Sequence, residues 1–174
     1  DCTVGDRISN TDLNKFIRSY EVNIFTALYW TQTALPHLNK VNGKIINISS
    51  AASIFPMVGS SAYCSSNVYK TVSSSKAALN MITSCLAEEE KEIQTIAICP
   101  GPVYTETMEA NYKKIEHLNK YSKEELREKT FHPEDTGHYV WRLITNFPTE
   151  FNGKFVPSTE PSLASYHKRT ILSL

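Results

Sequence analysis

Tyr63 and Lys76 are two residues of this sequence whose types could act together in proton transfer. A tyrosine hydroxyl can donate a proton, but its free pKa of about 10 is too high for easy transfer at neutral pH. An ammonium group within ~4–6 Å favours the phenolate and lowers that pKa. A helix brings such a pair onto one face when the lysine follows the tyrosine by four residues. Here it follows by thirteen, so the pair requires a local rearrangement of the chain.

The elements that must position these residues alternate between helix and strand. Apolar residues recur at helical spacing in three segments, and short β-branched runs bounded by turn residues predict three strands. Helices are predicted for residues 11–38, for 76 to about 90 and from Pro133 onwards, and strands for 44–48, 95–99 and 154–156. The polar stretch 108–127 predicts a helical excursion. Strands that alternate with helices favour a single α/β domain with a parallel sheet.

Composition and charge exclude several classes of protein. The 174 residues contain 18 Lys plus Arg and 18 Asp plus Glu, so the net charge of zero gives no footprint for nucleic acid or an anionic membrane. No segment is apolar enough to span a bilayer, and no signal peptide is predicted. The cysteines lack disulfide or metal-ligand spacing, so we predict reduced thiols, a cytoplasmic location and no metal site. Four histidines without a partner pattern are predicted at the surface: His117, His132, His138 and His167.

The glycines exclude a phosphate-binding loop within this sequence. There are six, and the closest neighbours are sixteen residues apart, so neither GxGxxG nor GxxxxGK can occur. Such loops use glycine because backbone N–H groups must approach a phosphate closely at a helix N-terminus. An α/β chain without one either does not bind a nucleotide or lacks the half that carries the loop.

Five motifs occur in a recognisable order and spacing: Asn23, Asn47–Ser50, Tyr63, Ser75–Asn80 and Cys99–Thr105. Asn23 precedes Ser50 by 27 residues, and Ser50 precedes Tyr63 by 13. Together they resemble the C-terminal two-thirds of a classical short-chain dehydrogenase/reductase. The sequence of residues 86–108 is most similar to the sepiapterin-reductase and fungal benzil-reductase branch. The resemblance implies a partial Rossmann-like fold: a doubly wound parallel sheet without the N-terminal strands and the glycine-rich loop.

The resemblance also implies a reaction: reduction of a ketone or aldehyde by NAD(P)H. Tyr63 would be the proton donor, Lys76 would lower its pKa and hold the nicotinamide ribose, Ser50 would polarise the carbonyl, and Asn23 would position a relay water. Besides Lys76, the cofactor would contact Tyr63, Pro100, Gly101, Val103 and Thr105, although Thr105 could instead only cap the following helix. NADP(H) is expected rather than NAD(H). A homodimer could form through the helices at 11–38 and 76–90.

Two departures from the family pattern leave the activity open. The sequence resembles a single domain, residues 1–174, that is truncated at its N-terminus, so no tight cofactor binding is expected for this chain alone. The family has Tyr-x-x-x-Lys, whereas residues 67–75 here read as an insertion of nine. A continuous helix would carry Lys76 away from Tyr63, and a loop over 67–75 would let it return. The alternative to an oxidoreductase is a degenerate, non-catalytic fragment that acts at most as an interaction module.

Overall fold

The computed structural model describes residues 12–55, 69–106, 108–109 and 122–167, with the backbone alone for 69–72. The helices are α1 (Leu13–Tyr20), α2 (Thr26–Leu38), α3 (Tyr69–Glu89), α4 (Lys123–Lys129) and α5 (Pro133–Thr145). The strands are β1 (Lys44–Ile48), β2 (Gln94–Cys99) and β3 (Phe155–Pro157). Short 3₁₀ helices occupy Asn39–Val41, Ala51–Ser53, Thr149–Phe151 and Pro161–Tyr166. None of the described helices is long and apolar enough to cross a bilayer.

The three strands form one parallel sheet in the order β1-β2-β3. Ile48 lies opposite Ile98, and Cys99 lies opposite Pro157. The α/β prediction is therefore confirmed. The β1 bounds agree with the sequence prediction, whereas β2 begins one residue earlier and β3 ends one residue later than expected.

Helices cover both faces of this sheet. Ile96 and Ile98 are fully buried in a cluster with Tyr139 and Leu143 of α5. Thr95, whose side chain points to the other face because side chains alternate along a strand, donates a hydrogen bond to the carbonyl of Thr83 in α3. The sheet therefore lies between α3 and α5, with its apolar core on the α5 side.

Two predicted helices differ from the structure. The segment 11–38 is interrupted by a π-helical turn at Glu21–Phe25, so α1 and α2 are joined by a wider turn. Helix α3 begins at Tyr69, seven residues before the predicted start. The expectation that 67–75 could loop out is therefore wrong for 69–75, which are helical. Tyr63 lies outside the described residues. Of the predicted excursion at 108–127, the structure describes residues 108–109 and the start of α4.

Candidate active site

Several of the predicted site residues that the structure describes follow the carboxyl ends of the parallel strands. Ser49 and Ser50 follow β1, Pro100 and Gly101 follow β2, and Ser158 follows β3. Because parallel strands end at the same edge of a sheet, these segments lie side by side, at the edge where open α/β sheets bind ligands. The Ser49 N–H donates to the carbonyl of Ile98 at 2.6 Å, which joins the first two segments directly.

Lys76 reaches this edge from the second turn of α3. Its ammonium donates to the carbonyl oxygen of Ile48, at the end of β1, over 2.7 Å. The side chain is half-buried, and burial lowers the pKa of its ammonium from the usual value. One bond to a carbonyl leaves further N–H donors, so the group can still hydrogen-bond hydroxyl groups at the sheet edge.

A row of polar contacts along α3 fixes the position of Lys76. Asn47 in β1 donates to the Thr83 hydroxyl at 2.9 Å, and the Ser49 hydroxyl donates to Asn80 Oδ1 at 2.5 Å. The Asn80 amide in turn donates to the Ser53 hydroxyl at 2.8 Å. The sequence analysis assigned no role to Asn80 or Thr83. Asn80 and Thr83 could have been found in the sequence, because they follow Lys76 at helical spacing on a face that contacts the sheet.

Asn23 lies in the π-helical turn and contacts the same end of α3. Its amide donates to the Ser75 hydroxyl at 3.0 Å and to the Ser19 hydroxyl at 3.3 Å. Ser75 is fully buried and directly precedes Lys76. The structure therefore ties Asn23 to the residue that directly precedes Lys76 in α3. π-Turns are rare and often occur at functional sites, because the wider turn displaces a backbone group from the regular ladder.

Ser50 opens the short 3₁₀ helix Ala51–Ser53. Its hydroxyl accepts a hydrogen bond from the Ala52 N–H at 3.2 Å, and its carbonyl accepts from the Ser53 hydroxyl at 2.5 Å. The Ser50 hydroxyl proton is not used in the Ala52 bond and could be donated to another oxygen. Ser50 follows by two residues the Ile48 carbonyl that Lys76 contacts, so Ser50 and Lys76 lie at the same end of β1.

Tyr63, the fourth predicted catalytic residue, lies outside the described residues, so its distance from Lys76 stays untested. Helix α3 nevertheless shows what precedes the lysine. Val72 occupies the position four residues before Lys76, where the family pattern places the tyrosine. Valine has no hydroxyl, so the residue one turn before the ammonium cannot donate a proton.

The loop after β2 is held by contacts that only glycine permits. Gly101 has φ +82°, and a Cβ there would lie 2.8 Å from Phe131 Cε2 and 2.9 Å from Ser158 Oγ. Val103 forms a parallel bridge with Phe131. The Thr105 hydroxyl accepts from the Met108 N–H at 3.2 Å, so it does cap the turn that follows. The contact of this loop with a cofactor stays a prediction.

Comparison with known proteins identifies the family. Residues 3–116, more than half of the chain, match the family model described as short chain dehydrogenase. The chain belongs to the short chain dehydrogenase family. Its predicted catalytic residues, Asn23, Ser50, Tyr63 and Lys76, all lie within the matched range.

Relatives of this family member include two curated proteins. An uncharacterized oxidoreductase of Saccharomyces cerevisiae is 29% identical over 168 residues, covering 91% of this chain and 62% of the yeast protein. Benzil reductase ((S)-benzoin forming) of Bacillus cereus is 34% identical over 104 residues, covering 56% of this chain and 38% of the bacterial protein.

Solved structures share the fold of this short chain dehydrogenase. The crystal structure of the same yeast oxidoreductase matches with a TM-score of 0.75 at 24% identity, covering 93% of this chain and 64% of that one. An NADPH-bound carbonyl reductase from chicken fatty liver matches with a TM-score of 0.67 at 21% identity, covering 99% and 62%. The chain thus spans less than two thirds of the length of each protein compared with it.

Proposed function

We propose that this chain is the catalytic portion of an NAD(P)H-dependent reductase of small carbonyl compounds. The observation that carries the proposal is the Lys76 ammonium, which the Ile48 carbonyl holds at the end of β1, two residues before Ser50. Asn23 contacts Ser75, the residue before Lys76. A half-buried ammonium at the carboxyl edge of a parallel sheet can bind hydroxyl groups of a ligand and favour a nearby phenolate. The benzil reductase relative acts on a diketone by its name, so an aromatic diketone is the first substrate to test.

The residues present fit one end of a nicotinamide cofactor. Lys76 offers N–H donors for ribose hydroxyls, and Gly101, without a side chain, allows a flat ring to approach the backbone of the loop after β2. The reduced nicotinamide would supply the hydride. No glycine-rich loop for the pyrophosphate is encoded in this sequence. We propose NADP(H) rather than NAD(H), in keeping with the NADPH-bound carbonyl reductase of the same fold.

A second candidate function is a non-catalytic interaction module. Val72 favours it, because it leaves the helical position before Lys76 without a proton donor. In this alternative Asn23, Ser75 and Lys76 are retained because they tie α3 to β1 and to the π-turn, and no reaction depends on them.

Cofactor binding separates these two functions. We expect the chain alone to show no enhanced NADPH fluorescence at micromolar concentrations, because a phosphate loop with its helix N-terminus supplies most pyrophosphate contacts. Joined in frame to the N-terminal half of a related reductase, it should bind NADPH and oxidise it when an aromatic diketone is present. Lys76→Met in the joined protein should abolish that oxidation. If the joined protein and its Lys76→Met variant both bind NADPH but neither oxidises it in the presence of the diketone, the interaction module is favoured.

We also propose that a second copy of the chain covers the outer face of α2 and α3. An apolar groove of about 580 Å³ lies between these helices, and Met81 at its edge is 65% exposed. The groove is lined by Leu28, Thr31, Gln32, Leu35, Ala78, Met81, Ile82, Cys85, Leu86 and Glu89. The groove extends along two long helices, the arrangement that suits antiparallel packing against the same helices of a partner.

A cytoplasmic location is part of the proposal, since Cys85 and Cys99 are both free thiols.

Met81→Glu should convert a dimer into a monomer. A carboxylate buried in an apolar interface without a partner weakens association by several kcal/mol, roughly 100-fold or more in Kd. Sedimentation velocity across a range of protein concentrations measures the shift. Val41→Glu is the matched control, since Val41 is 71% exposed and does not line the groove. A wild-type chain that stays monomeric at high concentration, or a Val41→Glu chain that dissociates equally, contradicts the proposal.

A further inference from the structure

His167 lies inside the fold, although the sequence predicted it at the surface. It follows the 3₁₀ helix Pro161–Tyr166 and is half-buried. Its imidazole stacks on the Tyr139 ring with centroids 4.1 Å apart and planes 13° apart. It also stacks on the Phe131 ring, at 5.2 Å and 19°. The imidazole therefore joins α5 to the segment that precedes it.

Both residues that confine Gly101 are held by His167. Phe131 and Ser158 are the side chains that a Cβ at Gly101 would strike. His167 stacks on the ring of the first, and its imidazole lies close enough to the backbone of the second for that backbone to affect its pKa.

Phe131 transmits this support to the loop after β2 through its backbone. The Phe131 N–H donates to the carbonyl of Pro102 at 2.8 Å, and the Phe131 carbonyl accepts from the Tyr104 N–H at 2.8 Å. The loop from Pro100 to Thr105 thus rests on Phe131, and Phe131 rests on the imidazole of His167. The Tyr139 ring, on which the imidazole also stacks, is fully buried, so this contact has a rigid base.

We infer that His167 is a positioning residue that fixes the Pro100–Thr105 loop from behind, through Phe131 and Ser158. The part of this inference that concerns a cofactor rests on the proposed function, because the contact between this loop and nicotinamide belongs to that proposal. The part that concerns the loop itself depends only on the chain's own contacts.

The buried environment of His167 favours the neutral imidazole. His167 Nε2 is buried and has no hydrogen-bond partner among the described residues, so a proton there would have no acceptor. Burial lowers the pKa of His167, against smaller opposing effects of the Ser158 backbone bond and of Asp135. Asp135 and Tyr139 face the imidazole from α5, and Cys99, Glu160 and Tyr166 lie around Tyr139. Because the folded pKa is below the unfolded one, the stabilisation is complete above about pH 6.5 and declines as the pH falls.

Amide hydrogen exchange of the whole chain tests the inference without any cofactor. We expect His167→Ala to lower the protection of the Tyr104 and Phe131 amides by about tenfold or more, since two aromatic contacts are lost. The Ala97 amide in β2, bonded to the carbonyl of Lys154, should keep its protection. Equal losses at all three amides, or no loss at Tyr104 and Phe131, would overturn the inference.

His167→Phe is the conservative variant. It retains both stacking contacts and removes the titrating group, so it should restore most of the protection at Tyr104 and Phe131. In the wild-type chain the protection factors of these amides should fall as the pH is lowered below about 6.5, and in His167→Phe they should not change. An identical acid-dependent fall in both proteins would overturn the role of the imidazole.

The joined protein tests the link to the cofactor. There His167→Ala should raise the KM for NADPH several-fold and lower kcat less, because a displaced loop weakens binding before it alters the chemistry. An unchanged KM would overturn that link. If the joined protein has no activity at all, the proposed function fails, while the exchange result still decides whether His167 positions the loop.

Discussion

Val72→Tyr is expected to raise kcat/KM for an aromatic diketone by about 10²–10⁴-fold in the protein joined to an N-terminal half, the usual contribution of a general acid. Residue 72 lies four residues before Lys76 within the continuous helix α3. Positions four apart share a helix face about 6 Å apart along the axis, so a tyrosine there is placed for the ammonium to lower its pKa. Val72→Phe is the matched control, since it adds the ring without the hydroxyl.

Deletion of residues 67–75 should raise kcat/KM by the same factor, because it also places a tyrosine four residues before Lys76. It moves Tyr63 to four residues before Lys76 and places Ser66 in the position of Ser75, so the hydroxyl that accepts from Asn23 is retained. Tyr63→Phe in the deleted form should return the rate to the level of the unmodified chain. One result would contradict this interpretation. If kcat/KM of the unmodified protein equals that of both Val72→Tyr and the deleted form, and is far above that of its own Tyr63→Phe variant, then Tyr63 already reaches Lys76.

Gly101→Ala is expected to lower the free energy of unfolding by about 2–4 kcal/mol, the combined cost of a strained positive φ and an overpacked contact. The backbone at Gly101 has φ +82°, and the new methyl group would meet the ring of Phe131, a buried residue, at 2.8 Å. Relief would require movement of the stack on which the loop rests. Urea unfolding followed by circular dichroism measures the difference.

Gly137→Ala provides the control for that measurement. Gly137 lies within α5, and a Cβ there would meet nothing within 4 Å. Alanine should therefore raise the free energy of unfolding by up to about 1 kcal/mol, because glycine is the poorer helix former. Equal effects of the two substitutions would show that the loop after β2 rearranges without cost.

The alternation of helices and strands could be predicted from the sequence. Strand β1 has its predicted bounds because a β-branched run between turn residues suits a buried strand of a parallel sheet. Asn23, Ser50 and Lys76 were selected through the order and spacing of motifs that resemble the family pattern, and their catalytic roles stay predictions. In the structure Lys76 contacts the end of β1, and Asn23 contacts Ser75 in α3.

The start of α3 and the π-helical turn could not be predicted from local sequence, because they depend on the folded structure. Val68, Tyr69, Thr71 and Val72 are weak helix formers and allowed a loop, but propensity is a weak guide, and each residue added to an existing helix gains a backbone hydrogen bond. The π-turn surrounds Asn23, whose amide contacts a hydroxyl 52 residues further along the chain. No local pattern encodes a contact at that separation.

Tertiary structure alone also determined the place of His167. A lone histidine has no periodicity that marks it as buried, so the sequence analysis assigned it to the surface. Its environment comes from Phe131 before α5, Tyr139 within α5 and Ser158 after β3. The sequence thus specified which residues could do chemistry and on which elements they lie, since both depend on local pattern. Packing between distant segments decided which side chains support the loop after β2, because that contact exists only once the chain has folded.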